Sequence, residues 1–94
     1  MLAKVLRALG KIAAKRPDLI RKTTYHFIPL LRDSDPEIRG YSAILLGRLE
    51  AHEANQDLTR LVNDSASMEF YREGRLENRT VGQLASEALR KLSV

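Results

Sequence analysis

Apolar residues recur at helical spacing over most of this chain. In the opening stretch MLAKVLRALGKIAAK, Leu2, Val5, Leu6, Leu9, Ile12 and Ala13 share one face at about 100° per residue, and Lys4, Arg7, Lys11 and Lys15 share the opposite one. Arg16-Pro17 ends this helix, because the residue before proline is steered out of the α region. Pro17 suits the first turn of a second helix, where a missing N–H costs nothing. That helix is predicted to run through DLIRKTTYHFIPLLR and to bury Ile20, Thr24, Phe27 and Leu31, flanked by Ile28 and Leu30. Pro29 lies inside the pattern and removes the bond to the Tyr25 carbonyl, which predicts a kink and not a stop. Asp35 is a good N-cap and Pro36 a good first residue for a third helix over 36–50, burying Ile38, Tyr41, Ser42, Leu45 and Leu49. AHEAN reads as a polar connection. A short fourth helix over 56–63 would bury Leu58, Leu61 and Val62. In the last, TVGQLASEALRKL, Thr80 and Gln83 have the spacing of a capping box, and Val81, Leu84, Ala85, Ala88, Leu89 and Leu92 form the apolar face.

One stretch departs from helical spacing. In SMEFYREGRLENRTV, 67–81, polar and apolar residues alternate around Glu73-Gly74, which predicts a β-hairpin with MEFYR and RLENRTV as strands. Glu is a poorer first turn residue than Asp or Asn, but the pair resembles the Asp-Gly turn signal. Phe70 and Leu76 are expected to point inward, Tyr71 and Arg75 toward water. A two-stranded hairpin is marginal alone, so it must lean on the helices or on a partner. It is read as a lid over the exposed edge of the last repeat. The competing reading is an arm that pairs with another chain.

The helical part repeats itself. ALGKI at 8–12 echoes LLGRL at 45–49, LLRDS at 30–34 echoes LVNDS at 61–65, and ALRKL at 88–92 gives a weaker third echo of LLGRL. Helix pairs that recur every 30 to 45 residues or so mark an α-solenoid, in which each pair stacks on its neighbours to bury its apolar face. The expected fold is all-α: a solenoid of about two and a half helical hairpins with a small β-hairpin inserted near residues 68–80. It is read as a single domain over 1–94, with repeats at 1–33 and 34–65, the insertion at 66–80 and a terminal helix at 81–94.

The segment IPLLRDSDPEIRGYSAILLGRL, residues 28–49, resembles HEAT-repeat proteins, in particular the short bacterial and archaeal repeats first noted in phycobilisome lyases. The likeness lies in a leucine pair and an aspartate, a D-x-D-P-x-hydrophobic-R turn, and a helix ending near A-L-G-x-L. It is good over residues 17–65 and partial outside them. The resemblance implies that Asp33 and Arg39 belong to a ladder of hydrogen bonds along the repeat turns. Two departures stand out. Residues 1–15 look like the first helix of a repeat with no D-x-D-P turn before it, either a cap or a piece of a longer solenoid. After Asp64-Ser65 about fifteen residues intervene before the next helix, and Gly82 holds the place equivalent to Arg39, so the ladder is expected to break at Asp64. The family consists mostly of scaffolds and binding modules, so the resemblance implies a fold more sharply than a function.

Charge sharpens the picture. Residues 1–22 hold seven basic residues and one acid, whereas residues 23–94 hold nine basic and eleven acidic ones. A basic N-terminal quarter raises the prospect of an anionic partner. Its amphipathic, basic character also mimics a mitochondrial presequence, but the same residues fit a repeat helix. The chain has no cysteine, which removes disulfides, thiolate metal sites and cysteine nucleophiles and fits a cytoplasmic location. No apolar run is long enough to span a bilayer, and charges interrupt any secretory signal.

Candidate chemistry is sparse. His52-Glu53 is similar to the pairs that hold iron in deoxyhypusine hydroxylase, but the chain has one such pair, and its other histidine, His26, is on a different helix. No motif places a base beside a serine or threonine, Ser42 reads as a small packing residue, and the glycines form no phosphate loop. Asp35 is explained as a cap and Asp33 by the ladder. The expectation is therefore a non-enzymatic chain with no cofactor, no metal and no catalytic residues.

Two surfaces remain. Arg21, Lys22, Tyr25 and Arg32 lie opposite the buried stripe of the second helix and, with Arg60 of the fourth, are expected to form a partner-binding groove. Lys4, Arg7, Lys11 and Lys15 form a stripe suited to an anionic partner. The leading reading is a protein-binding scaffold module. The alternatives are a nucleic-acid-binding module, as in HEAT-like DNA glycosylases, and a bilin lyase or isomerase subunit. End-to-end stacking of copies is a further expectation, since solenoid ends expose apolar faces unless capped.

Overall fold

The computed structural model describes residues 2–93; Met1 and Val94, the ends of the expected domain, lie outside them. The opening periodicity becomes α1, Leu2–Lys15. Its buried stripe is narrower than the apolar face predicts. Leu6, Gly10 and Ala13 are buried, whereas Leu2, Val5 and Ile12 are exposed. The reason is that α1 packs against one side of α3, Pro36–Arg48, which leaves Leu2, Val5 and Ile12 on its outer side.

Helix α3 starts where the sequence placed it. The Asp35 carboxylate accepts from the Glu37 N–H at 2.9 Å, satisfying one of the free donors of the first turn, and Pro36 supplies the first residue. Because α3 lies between α1 and α5, Val81–Leu92, it is buried on both flanks, at Ala43, Leu45, Leu46 and Ser42 among others. Small residues set the spacing. A Cβ at Gly47 would lie 2.9 Å from Ala88 Cα, so only glycine permits this crossing without displacing α5. Helix α5 opens on the expected capping box, with Thr80 Oγ accepting from the Gln83 N–H and the Gln83 side chain accepting from the Thr80 N–H.

Helices α1, α3 and α5 thus form one layer. The second layer holds residues 17–32 and 52–61, and here the structure corrects the sequence. Residues 17–32 are not one kinked helix. They are 3-10 turns at Pro17–Leu19 and Arg21–Thr23, one α turn, α2, at Thr24–Phe27, and a further 3-10 segment at Ile28–Arg32. The two prolines remove donors, and Thr23 bonds its hydroxyl to the Ile20 carbonyl, competing with the helix ladder. The connection AHEAN is likewise a 3-10 turn, His52–Ala54, leading into α4, Asn55–Leu61. The two pieces of this layer are tied by the Thr24 hydroxyl, which donates to Glu53 Oε2 at 2.8 Å. Leu31 and Leu58 seal the layer onto α3 and α5.

Strands β1, Ser67–Arg72, and β2, Arg75–Thr80, form the hairpin around Glu73-Gly74. Both turn residues have positive φ, 52° and 77°, as a two-residue hairpin turn of right-handed twist requires. The register pairs Phe70 with Glu77 and Tyr71 with Leu76. Opposed residues share a face, so Leu76 stands outside with Tyr71 and is 55% exposed, contrary to the inward placement expected for it. Met68 and Phe70 are buried against Leu84, Tyr41 and Ile44. The hairpin therefore lies across α3 and α5. Gly40 makes room for it, since a Cβ there would overlap the Met68 sulfur.

Candidate functional site

A concavity lies between the three-helix layer and the hairpin. It is a cleft of about 510 Å³. Leu6, Arg7, Lys11 and Ala14 of α1 form one side. Tyr41, Ile44 and Arg48 of α3 form the floor, Leu84, Glu87, Ala88 and Lys91 of α5 the other side, and Phe70 to Glu73 of β1 and its turn the overhanging wall. A second cavity, of about 470 Å³, shares Ala14, Arg48 and Lys91 with it and extends the trough toward Pro17 and Glu50.

The electrostatics of the cleft are lopsided. Five cationic side chains line it, against the carboxylates of Glu73 and Glu87. Glu87 is already engaged: it accepts from Arg72 at 3.1 Å and from Arg79 at 3.2 Å. Arg48 donates to the Gly10 carbonyl at 2.9 Å, which a Cβ at Gly10 would crowd. Burial, and the nearby charge of Arg72, push the Arg48 pKa down. Burial also lowers that of Lys91, helped by Arg48 and Arg72 and opposed by Glu87. Arg7 stacks on the Tyr71 ring, 5.2 Å from its centroid, and its Nε is buried without a partner. Tyr41 on the floor has its phenol pKa raised, chiefly by burial.

The structure divides the basic stripe. Arg7 and Lys11 line the cleft, whereas Lys4 and Lys15 are exposed outside its lining. Arg21, Lys22, Tyr25, Arg32 and Arg60 all lie on the second layer and are exposed there. Tyr25 is 71% exposed. Arg32 and Arg60 converge on one carboxylate, Asp57, at 3.4 and 3.6 Å.

Arg39 occupies the turn as the repeat pattern implies, but its partners differ from a simple pairing with Asp33. Its guanidinium donates to the Asp33 and Ser34 carbonyls at 2.8 and 3.0 Å and to the Asp64 carboxylate at 2.9 Å. The Asp33 carboxylate instead accepts from the Asp35 N–H. Asp64 is thus engaged from the preceding turn. Beyond it the chain passes too closely for a side chain: the Gly82 N–H bonds the Asp64 carbonyl at 2.9 Å, and a Cβ at Gly82 would sit 2.5 Å from the Val62 carbonyl oxygen. His52 is not a free loop residue, since its Nε2–H donates to the Leu92 carbonyl at 3.0 Å. Among the described residues no group of three His, Asp or Glu side chains converges to hold a metal, and no helix is long and apolar enough to cross a membrane.

Sequence reasoning missed Arg48, Arg72, Glu87 and Lys91 as site residues. The signal for two of them was present, because the echoes ALGKI, LLGRL and ALRKL put Lys11, Arg48 and Lys91 at one shared position. A family model described as HEAT-like repeat matches residues 2–49. No curated protein and no solved structure matches the chain. The matched span runs from the start of α1 through the end of α3, about half of the chain, and carries the Asp35-Pro36 turn and its Arg39; the chain belongs to the HEAT-like repeat family.

Proposed function

We propose that this chain is a non-enzymatic protein-interaction module that binds a partner through the face of its second layer. The observation that carries this reading is Tyr25. Its ring stands 71% exposed on a layer that also presents Arg21, Lys22, Arg32 and Arg60. Tyrosine and arginine together are the composition of interface hot spots, and the shared grip of Arg32 and Arg60 on Asp57 holds two guanidinium groups in place before a partner arrives. The irregular backbone of residues 17–32 supports the same reading, since turns positioned on a rigid scaffold are where proteins carry recognition. A nucleic-acid partner finds less support. Of the basic stripe of α1, Arg7 and Lys11 line the cleft and Lys4 and Lys15 do not.

The test is capture of partners from native lysate by the tagged chain and by the Tyr25→Ala/Arg32→Ala double variant, with and without nuclease. A nuclease-resistant protein retained by the wild type and lost with the variant, at unchanged circular dichroism, is the expected result. Hot-spot loss should weaken binding by about 30-fold or more. Equal capture by both proteins would refute the role given to this face.

A further inference from the structure

The cleft is a separate surface from the Tyr25 face, and it carries the repeat in its charges. Lys11, Arg48 and Lys91 occupy the same position of three successive echoes, and all three line the cleft. The position four residues earlier, held by Arg7, Ile44 and Glu87, lines it as well. Helices α1, α3 and α5 lie side by side with α3 in the middle. Packed helices stand about 8–10 Å apart, so the three residues span roughly 16–20 Å from backbone to backbone across the helices, with the Arg48 guanidinium reaching back toward α1 to donate to the Gly10 carbonyl.

Helix dipoles explain part of this arrangement. Arg48 and Lys91 sit in the last turns of α3 and α5, where a cation faces unpaired carbonyls. They do not explain why Arg7, Lys11 and Arg72 border the same space. Five cations around one cleft repel one another, and partial burial makes that repulsion more costly, as the depressed pKa values of Arg48 and Lys91 reflect. An anion in the cleft relieves it. Between the charges Ile44 is half-buried, with the buried Leu6, Leu84 and Ala88 beneath.

We propose that this cleft binds an extended acidic peptide segment of a partner protein, laid across α1, α3 and α5, with carboxylates on Lys11, Arg48 and Lys91 and apolar side chains between them. An extended segment rises about 3 Å per residue, so about six or seven residues cross the three helices. A single small anion covers only part of that span. Single-stranded nucleic acid needs free aromatic faces, whereas the Tyr71 ring already carries Arg7 and the buried Phe70 ring carries Arg72. Glu73 and Glu87 also oppose a continuous run of phosphates.

Calorimetric titration of the whole chain tests this. The probe is a synthetic peptide of about ten residues with glutamate at every third position and leucine or proline between. The comparators are an isomer with its glutamates clustered, inorganic phosphate and an oligothymidylate. The spaced peptide should bind about tenfold or more tightly than the clustered isomer. Lys11→Glu and Lys91→Glu alter exposed side chains, and each should weaken binding by about tenfold with the circular dichroism unchanged. The neutral variants Lys11→Gln and Lys91→Gln should weaken it in the same direction by less. Tyr25→Ala with Arg32→Ala should leave the affinity unchanged, which keeps this site distinct from the other face. Equal binding of the two isomers, indifference to the charge reversals, no binding of the spaced peptide, or preference for phosphate or oligothymidylate would each overturn the proposal.

Discussion

Helices α1, α3 and α5 run 14, 13 and 12 residues without a break, whereas the longest stretch of α-helix in residues 17–32 is the four residues of α2. Both layers nevertheless bury their side chains. Thr24, Leu31 and Leu58 are as sealed as Leu45 and Leu84. A packed layer therefore needs apolar groups at roughly helical spacing, and 3-10 turns supply that nearly as well as α-helix over short spans. What irregular turns do not supply is a constant register. Lys11, Arg48 and Lys91 line one cleft because three regular helices repeat one position of the pattern. The second layer, with its broken ladder, leaves Tyr25, Arg32 and Arg60 exposed instead.

The link between the layers should be the most sensitive point. Arg39 binds two carbonyls of its own turn and the Asp64 carboxylate, and both charged side chains are 17% exposed. Arg39→Ala leaves the Asp64 carboxylate with only the Ala66 N–H and frees those carbonyls, at a cost of about 2–3 kcal/mol. In a domain of this size that lowers Tm by about 10–20 °C. Arg75→Ala, at an exposed position, should shift it hardly at all. Equal shifts from the two variants would show that the turn ladder does not hold the layers together.

Within the regular layer the contact between α3 and α5 should matter next. Gly47→Ala places a methyl 2.9 Å from Ala88 Cα and Cβ. Backbone cannot yield there, so the helices must separate, at about 1–2 kcal/mol. The displacement should also weaken peptide binding in the cleft, since it moves Arg48 relative to Lys91. Chemical denaturation of the variant measures the first effect and titration the second. Unchanged stability would mean that the regular layer tolerates spreading and is no stiffer than its partner.

The regular layer was legible in the sequence, and the other was legible only in outline. Asp35-Pro36 and Thr80-Gln83 announce helix starts through side-chain hydrogen bonds that involve near neighbours alone, so no tertiary knowledge is needed to read them. The hairpin was legible for the same reason, through Glu73-Gly74. Leu76 was misplaced because its face depends on register, and pairing Arg72 with Arg75 sets it opposite Tyr71. The width of the buried face of α1 was misjudged because periodicity shows which residues are apolar and not which of them find a neighbour. That same limit bears on end stacking. Among the described residues, Leu2, Val5 and Ile12 are exposed on α1, whereas Gln83, Arg90 and Lys91 are exposed on α5. The cleft was hidden because its walls come from four elements far apart in sequence, although the shared position of Lys11, Arg48 and Lys91 was written in the echoes.

The smallest expected effect asks why residues 17–32 are irregular at all. If Pro29 alone interrupted a helix, Pro29→Ala would restore one, with a gain approaching the 3 kcal/mol or so that separates proline from alanine in a helix interior. The breaks argue otherwise. Ile20, between the first two turns, has φ −124°, and Thr23 has φ −98°, and neither adjoins Pro29. Ile28, directly before the proline, is by contrast in the α region. The interruptions come from Pro17, from the Thr23 hydroxyl on the Ile20 carbonyl, and from the fit of Leu31 and Thr24 against α3, none of which the substitution touches. Pro29→Ala should then leave the circular dichroism nearly unchanged. It should cost about 0.4–1 kcal/mol, because the unfolded chain gains freedom that the folded state does not share. A clear rise in helix content with a gain in stability would show the reverse: the second layer is built like the first and is held out of it by one residue.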